Sequence, residues 1–155
     1  MQLIFNIEND IAVLKDTNLG PDYYLDSFLE VFIQDMNKEF SFFSTTMHST
    51  ILIALCDLLT QLHPNGEKQI LDTFGNSNTY TFEISNNDII ITNFDHFSHE
   101  EEWKHSFNFF EFTVAYTAEL RNYLTTMKNV DIHIEKHSSY KLLSEKLILL
   151  EKIIN

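Results

Sequence analysis

Apolar residues recur at helical spacing across residues 106–127. Phe109, Phe112, Tyr116, Leu120, Tyr123 and Met127 follow one another at intervals of 3, 4, 4, 3 and 4. That is one face of a 3.6-residue period and predicts a long helix with an aromatic stripe. Its start is marked too. Asn108 is a good cap, Glu111 stands three residues on, and Phe107 and Phe112 flank the pair. Together they predict a capping box and a hydrophobic staple. A helix this aromatic needs a sheet or other helices over it, so the rest of the chain is expected to cover it.

Residues 3–8 alternate, with Leu3, Phe5 and Ile7 on one side, and predict a strand. A second short run, 11–15, follows, then a loop at 16–20. Pro21 and Asp22 suit a first helical turn. Leu25, Phe28, Leu29, Phe32, Ile33 and Met36 then form an apolar stripe, with Asp22, Asp26 and Glu30 on the polar face. Residues 40–46 read as helix end or loop. A helix is expected over 47–62, with Ile51, Leu52, Leu55, Leu58, Leu59 and Leu62 inward, ended by His63, Pro64, Asn65 and Gly66. Residues 67–74 fit a short helix or a strand. Residues 75–78 form a turn.

The clearest strand signal is a hairpin, 79–85 and 88–93, around Asn86 and Asn87. Asn tolerates the positive φ of a two-residue turn. That register sets Ile84 opposite Ile89 and Phe82 opposite Ile91. Residues 101–107 alternate through Trp103, His105 and Phe107 and are read as a third strand; one long helix over 98–127 is the alternative. Val130, Ile132 and Ile134 alternate as a further strand. Ser138 and Ser139 then offer a cap to a last helix carrying Leu143, Leu147, Leu150 and Ile154. Repeats and Pro/Gly-rich linkers are lacking. The expectation is one α+β domain, 1–155, with a mostly antiparallel sheet of about four to five strands against about three to four helices.

Charge changes the picture most. The net charge is −13, and it is uneven. Residues 1–103 hold 17 acids and three lysines; residues 104–155 hold six acids and seven bases. An acidic surface repels phosphate backbones and anionic lipid heads, so nucleic acid and membrane surfaces are disfavoured partners and basic proteins favoured ones. Acidity also serves solubility. The N-terminus lacks a signal-peptide pattern and no apolar run is long enough to span a bilayer, so a cytoplasmic protein is expected.

Catalytic signatures do not emerge. Cys56 is the one cysteine and lies in an apolar helical run, where it reads as a small buried hydrophobe. There is no nucleophile elbow, and three isolated glycines build no phosphate loop. His96, His99 and His105 lie near Glu100, Glu101 and Glu102, the one local cluster of metal-ligand types. Its spacing is not a zinc helix's, since Trp103 stands four residues after His99. His133 and His137 are also four apart, on a strand pattern that sets them too far apart to chelate easily. A metal-dependent hydrolase on His96 and His99 is therefore the alternative to a non-enzymatic protein that needs no cofactor. An adaptor subunit is a third reading. Asp95, Glu100, Glu101 and Glu102 form the densest acid cluster, beside the sole Trp, Trp103. Carboxylates beside an aromatic suit a basic partner: the ring anchors and the acids accept Arg. The bland readings are that Trp103 is core and the acids are solvated. Asp22, Asp26 and Glu30 form the second candidate patch.

Several stretches carry a resemblance. Tyr23-Tyr24-Leu25-Asp26-Ser27-Phe28-Leu29 follows an N-terminal strand. After the hairpin, Phe107-Asn108-Phe109-Phe110-Glu111-Phe112 feeds a helix with Ala115, Ala118, Glu119 and Leu124. Over residues 79–127 this is similar to the small acidic immunity proteins of bacterial polymorphic toxin and contact-dependent inhibition systems. The resemblance implies a non-catalytic inhibitor that binds a toxin's C-terminal domain, often a basic nuclease. It carries over no residue-level role.

Overall fold

The computed structural model describes residues 1–7, 25–36 and 38–155. The fold is α+β. Among the described residues seven strands form two antiparallel sheets. Strands β1 (Gln2–Ile7), β2 (Leu29–Asp35) and β3 (Lys38–Thr45) make the first, in that order. Strands β4 (Gln69–Asp72), β5 (Asn78–Ser85), β6 (Asp88–Asp95) and β7 (Glu100–Asn108) make the second, a meander in chain order. Helices α1 (His48–Asn65), α2 (Phe109–Val130) and α3 (Ser138–Ile154) pack on each other and on the sheets, with a 3₁₀ turn at Ile134–Lys136. Two sheets thus replace the one that was expected.

The second sheet follows the expected register, Ile84 opposite Ile89 and Phe82 opposite Ile91. Asn86 takes φ 58° in the turn, the left-handed conformation that Asn accepts. Residues 101–107 are strand, within β7, and α2 starts where its cap stands. The Asn108 side chain accepts from Glu111 N–H at 3.1 Å, and the Phe107 and Phe112 rings lie 5.9 Å apart. Phe112, Tyr116, Leu120, Tyr123 and Met127 are all buried. Helix α1 buries its expected leucine and isoleucine face, together with Cys56, and ends in left-handed Gly66.

Four expectations are corrected. Residues 29–35 are strand, not helix, because pairing with both β1 and β3 buries Leu29, Val31 and Ile33 on one face. The run satisfies both periods locally, and the two neighbouring strands decide. Residues 40–45 belong to β3, and the undecided 69–72 is β4. Residues 130–135 form no strand. Val130 ends α2, the Asp131 side chain accepts from His133 N–H at 2.8 Å, and Ile132 is 71% exposed. That local turn competes with any extended pairing. The cap of α3 is His137, whose Nδ1 accepts from Ser139 N–H, rather than a serine. The run at 11–15, the loop at 16–20, and Pro21 and Asp22 lie outside the described residues.

A bulge joins the two sheets. Val31 pairs with Phe43 and Phe32 with Ser41, so Phe42 is an extra residue in β3. Neighbours in a strand normally point to opposite faces; the bulge lets Phe42 and Phe43 both turn inward. Phe42 then packs against Tyr80, Phe82, Trp103 and Phe112, with ring centroids 5.7–6.2 Å away. Ion pairs tie the helices: Arg121 to Glu151 at 2.6 Å, and Lys146 to Asp57. Among the described residues no helix is long and apolar enough to cross a membrane.

Candidate functional site, an acidic cleft between the sheets

The second sheet carries a matching bulge. Asn93 pairs with Trp103 and Phe94 with Glu101, leaving Glu102 as the extra residue of β7. Freed from the alternation, the Glu102 carboxylate turns toward β5 and β6. Its Oε2 accepts from Asn78 Nδ2 and from Asn93 Nδ2, each at 2.8 Å. Asn78 Nδ2 also donates to Asn93 Oδ1 at 2.9 Å. Asn93 is buried, so its amide needs these partners.

This network lies in a cleft of about 260 Å³ between β3 and the β5–β7 end of the second sheet. Ser41, Ser44, Asn76, Tyr80, Glu102 and Trp103 are among its lining residues, and no Lys or Arg is. Burial and the nearby Glu102 charge push the Tyr80 phenol up from its usual range. Trp103 is half-buried and contacts Phe40, Phe42 and Tyr80. It therefore belongs to the core while its edge reaches the cleft.

The candidate acids have separate fates. Glu100 and Glu101 are exposed on β7. Asp95 is engaged in the β6–β7 loop: its carboxylate accepts from the Ser77 hydroxyl, from Phe97 N–H at 2.9 Å and from Ser98 N–H at 3.3 Å. Those bonds, the Ser77 one foremost, hold it down to about 2. Glu30 accepts from Ser41 Oγ at 3.4 Å, so it stands one side chain from the cleft. Asp26 is elsewhere, accepting from Ser49 Oγ at 3.0 Å near the start of α1. Asp22 lies outside the described residues. Because residues 29–35 are strand and not helix, Glu30 stands beside Ser41 at the cleft wall, while Asp26 is held at the start of α1.

His96 Nε2 lies 2.9 Å from Thr79 Oγ1, and His105 stacks on Phe40 with centroids 4.4 Å apart. Among the described residues no three His, Cys, Asp or Glu side chains come together as a metal would need. The sequence reading passed over Asn78 and Asn93. A bulge leaves no signature in one sequence, and two asparagines in a chain rich in them attract no notice. The chain matches no family model, no curated protein and no solved structure.

Proposed function

We propose that this chain is a non-enzymatic acidic binding protein that neutralises a basic protein partner, in the manner of an immunity protein inhibiting a toxin domain. One observation carries the reading: a carboxylate, Glu102, is pre-oriented by two amides beside Trp103, with Glu100 and Glu101 exposed next to it on β7. A preorganised acceptor loses little freedom on binding, so an incoming Arg or Lys costs less to order. Oε2 takes the described bonds and Oε1 is left to receive a guanidinium. The charge distribution supports the same partner. Three of the seven bases of residues 104–155, Arg121, Lys128 and Lys146, are paired with Glu151, Glu135 and Asp57, and the net charge of −13 sets the field. Such a field speeds association with a cation and weakens with salt.

The test is calorimetric titration with the product of the neighbouring gene, which this reading expects to contain a basic toxin domain. Tight binding that weakens as salt rises, and that falls about tenfold or more on charge reversal of Glu100 and Glu101, is expected. No binding, or binding indifferent to salt and to both reversals, would sink the reading.

A further inference from the structure

A larger groove runs on the other side of the molecule, between β1 and α2. It measures about 530 Å³ and is bounded by Met1, by residues 2–4 of β1 and by Phe110, Glu111, Val114, Ala118 and Glu119 of α2. Two features define what it can hold.

The first is a strand edge. In the order β1-β2-β3, β1 pairs on one side only, among the described residues. Phe5 N–H donates to the Glu119 carboxylate at 2.9 Å, so the Phe5 peptide groups point away from β2, toward the helix. In an antiparallel ladder the two backbone groups of one residue face the same way, and the direction alternates along the strand. Leu3 therefore turns its N–H and C=O to the groove while its side chain is buried in the core. An edge left unpaired among the described residues is a template for another strand.

The second is the helix wall. Val114 and Phe110 are 38% and 53% exposed, and Ala118 is exposed. Small residues here leave room for a backbone to lie beside β1. The wall also carries Glu111 and Glu119. Phe5 N–H and Asn122 Nδ2 donate to Glu119, and among the described residues no Lys or Arg lines the groove; Arg121 is paired with Glu151 on α3. Every charged side chain lining the groove is negative. A second copy of this chain, at net −13, is repelled from such a surface.

We propose that this groove is a strand-addition site for an extended, basic segment of a protein partner. The segment pairs with the β1 edge at Leu3, lays alternate apolar side chains on Phe110, Val114 and Ala118, and directs a Lys or Arg to Glu111. Glu119, by capping Phe5, marks where the added strand ends. The site is separate from the acidic cleft and stands whether or not the cleft binds anything.

The experiment uses an acetylated hexapeptide of alternating valine and lysine, and a control with glutamate for lysine. Binding is read by ¹H–¹⁵N shifts and fluorescence anisotropy. The lysine peptide is expected to move the amides of residues 1–5 and 110–122, and the glutamate peptide to bind at least about tenfold more weakly. Ala118→Trp, which fills the wall, and Glu111→Lys should each weaken binding about tenfold or more. The surface variant covers the case in which Ala118→Trp fails to fold. Two N-methylated isomers of the peptide, methylated at every valine or at every lysine nitrogen, probe the backbone pairing itself. One isomer should bind and the other should not. Equal binding of the two isomers, no binding of the lysine peptide at millimolar concentration, shifts confined to residues 95–103, or dimerisation abolished by Ala118→Trp would each overturn the proposal. Charge reversal of Glu100 and Glu101 should leave peptide binding unchanged, so loss of the cleft and loss of the groove are told apart.

Discussion

The Tyr116 hydroxyl of α2 donates to the Leu52 carbonyl of α1 at 2.8 Å, and both residues are fully buried. The same oxygen lies 3.5 Å from Cys56 Sγ. This contact locks the two helices in register and meets the need of a phenol that has no water to turn to. Burial, above all, pushes the Tyr116 phenol well up from its usual range. Tyr116→Phe keeps the ring and removes the bond, so a loss of about 1 kcal/mol is expected. Tyr116→Ala also empties the space and should cost about 3–5 kcal/mol. Urea unfolding of both variants reads the difference.

Cys56 is chemically quiet for the same reason. Burial pushes its thiol up to about 12, against a smaller opposite pull from the Tyr116 hydrogen bond. The thiolate is the reactive form, so alkylation by iodoacetamide at neutral pH should proceed only as fast as the protein opens. The sign for stability follows. The folded state holds this proton more tightly than the unfolded chain. Its contribution is complete below pH 9, the ordinary value, and is lost as pH rises toward 12. A thiol that reacts at the rate of a free peptide would contradict the burial.

Asp95 runs the other way. Its bonds to Ser77, Phe97 and Ser98 lower it from 3.8 to about 2. The order it lends the β6–β7 loop is therefore complete above pH 4 and is lost as pH falls through 2. Amide shifts of residues 95–99 followed between pH 5 and 1.5 should titrate in that window, and Asp95→Asn should remove the titration.

Glu102→Ala should destabilise although the residue is exposed, since it strips two amides of their acceptor and one of them, on Asn93, is buried. The expected loss is about 1–3 kcal/mol. Asn93→Ala combined with Glu102→Ala should cost less than the sum of the two, the mark of one shared network. Additive losses would show that the amides find other partners.

Asn108→Ala removes the cap of α2 and should cost about 1 kcal/mol, visible as a lowered urea midpoint with unchanged slope.

What the sequence made legible was local. The hairpin register, the Asn108 cap and the buried faces of α1 and α2 depend on residues within a few positions of each other, and all are found as expected. Residues 29–35 were misread because Leu29-Glu30-Val31-Phe32-Ile33 satisfies both periods. Strand pairing with residues 2–7 and 38–45 decides between them, and that information is spread over the chain. Of the candidate site, the acids at 100–102 and Trp103 were visible. The two bulges that aim Glu102 and Phe42 were not, nor were Asn78 and Asn93, because they matter only through a geometry set by three strands.

The meander of β4 to β7 runs straight into α2, each strand beside its neighbour in sequence. The β1 edge is different: Phe5 reaches Glu119 across 114 positions. Closing short loops costs little chain entropy, and closing long ones costs more. Assembly should therefore begin in residues 69–130 and finish when β1 docks on α2. Pulse-labelled hydrogen exchange would show amides of β5 and β6 protected before those of β1; the reverse order would refute it. The groove beside β1 is then the last surface the chain completes.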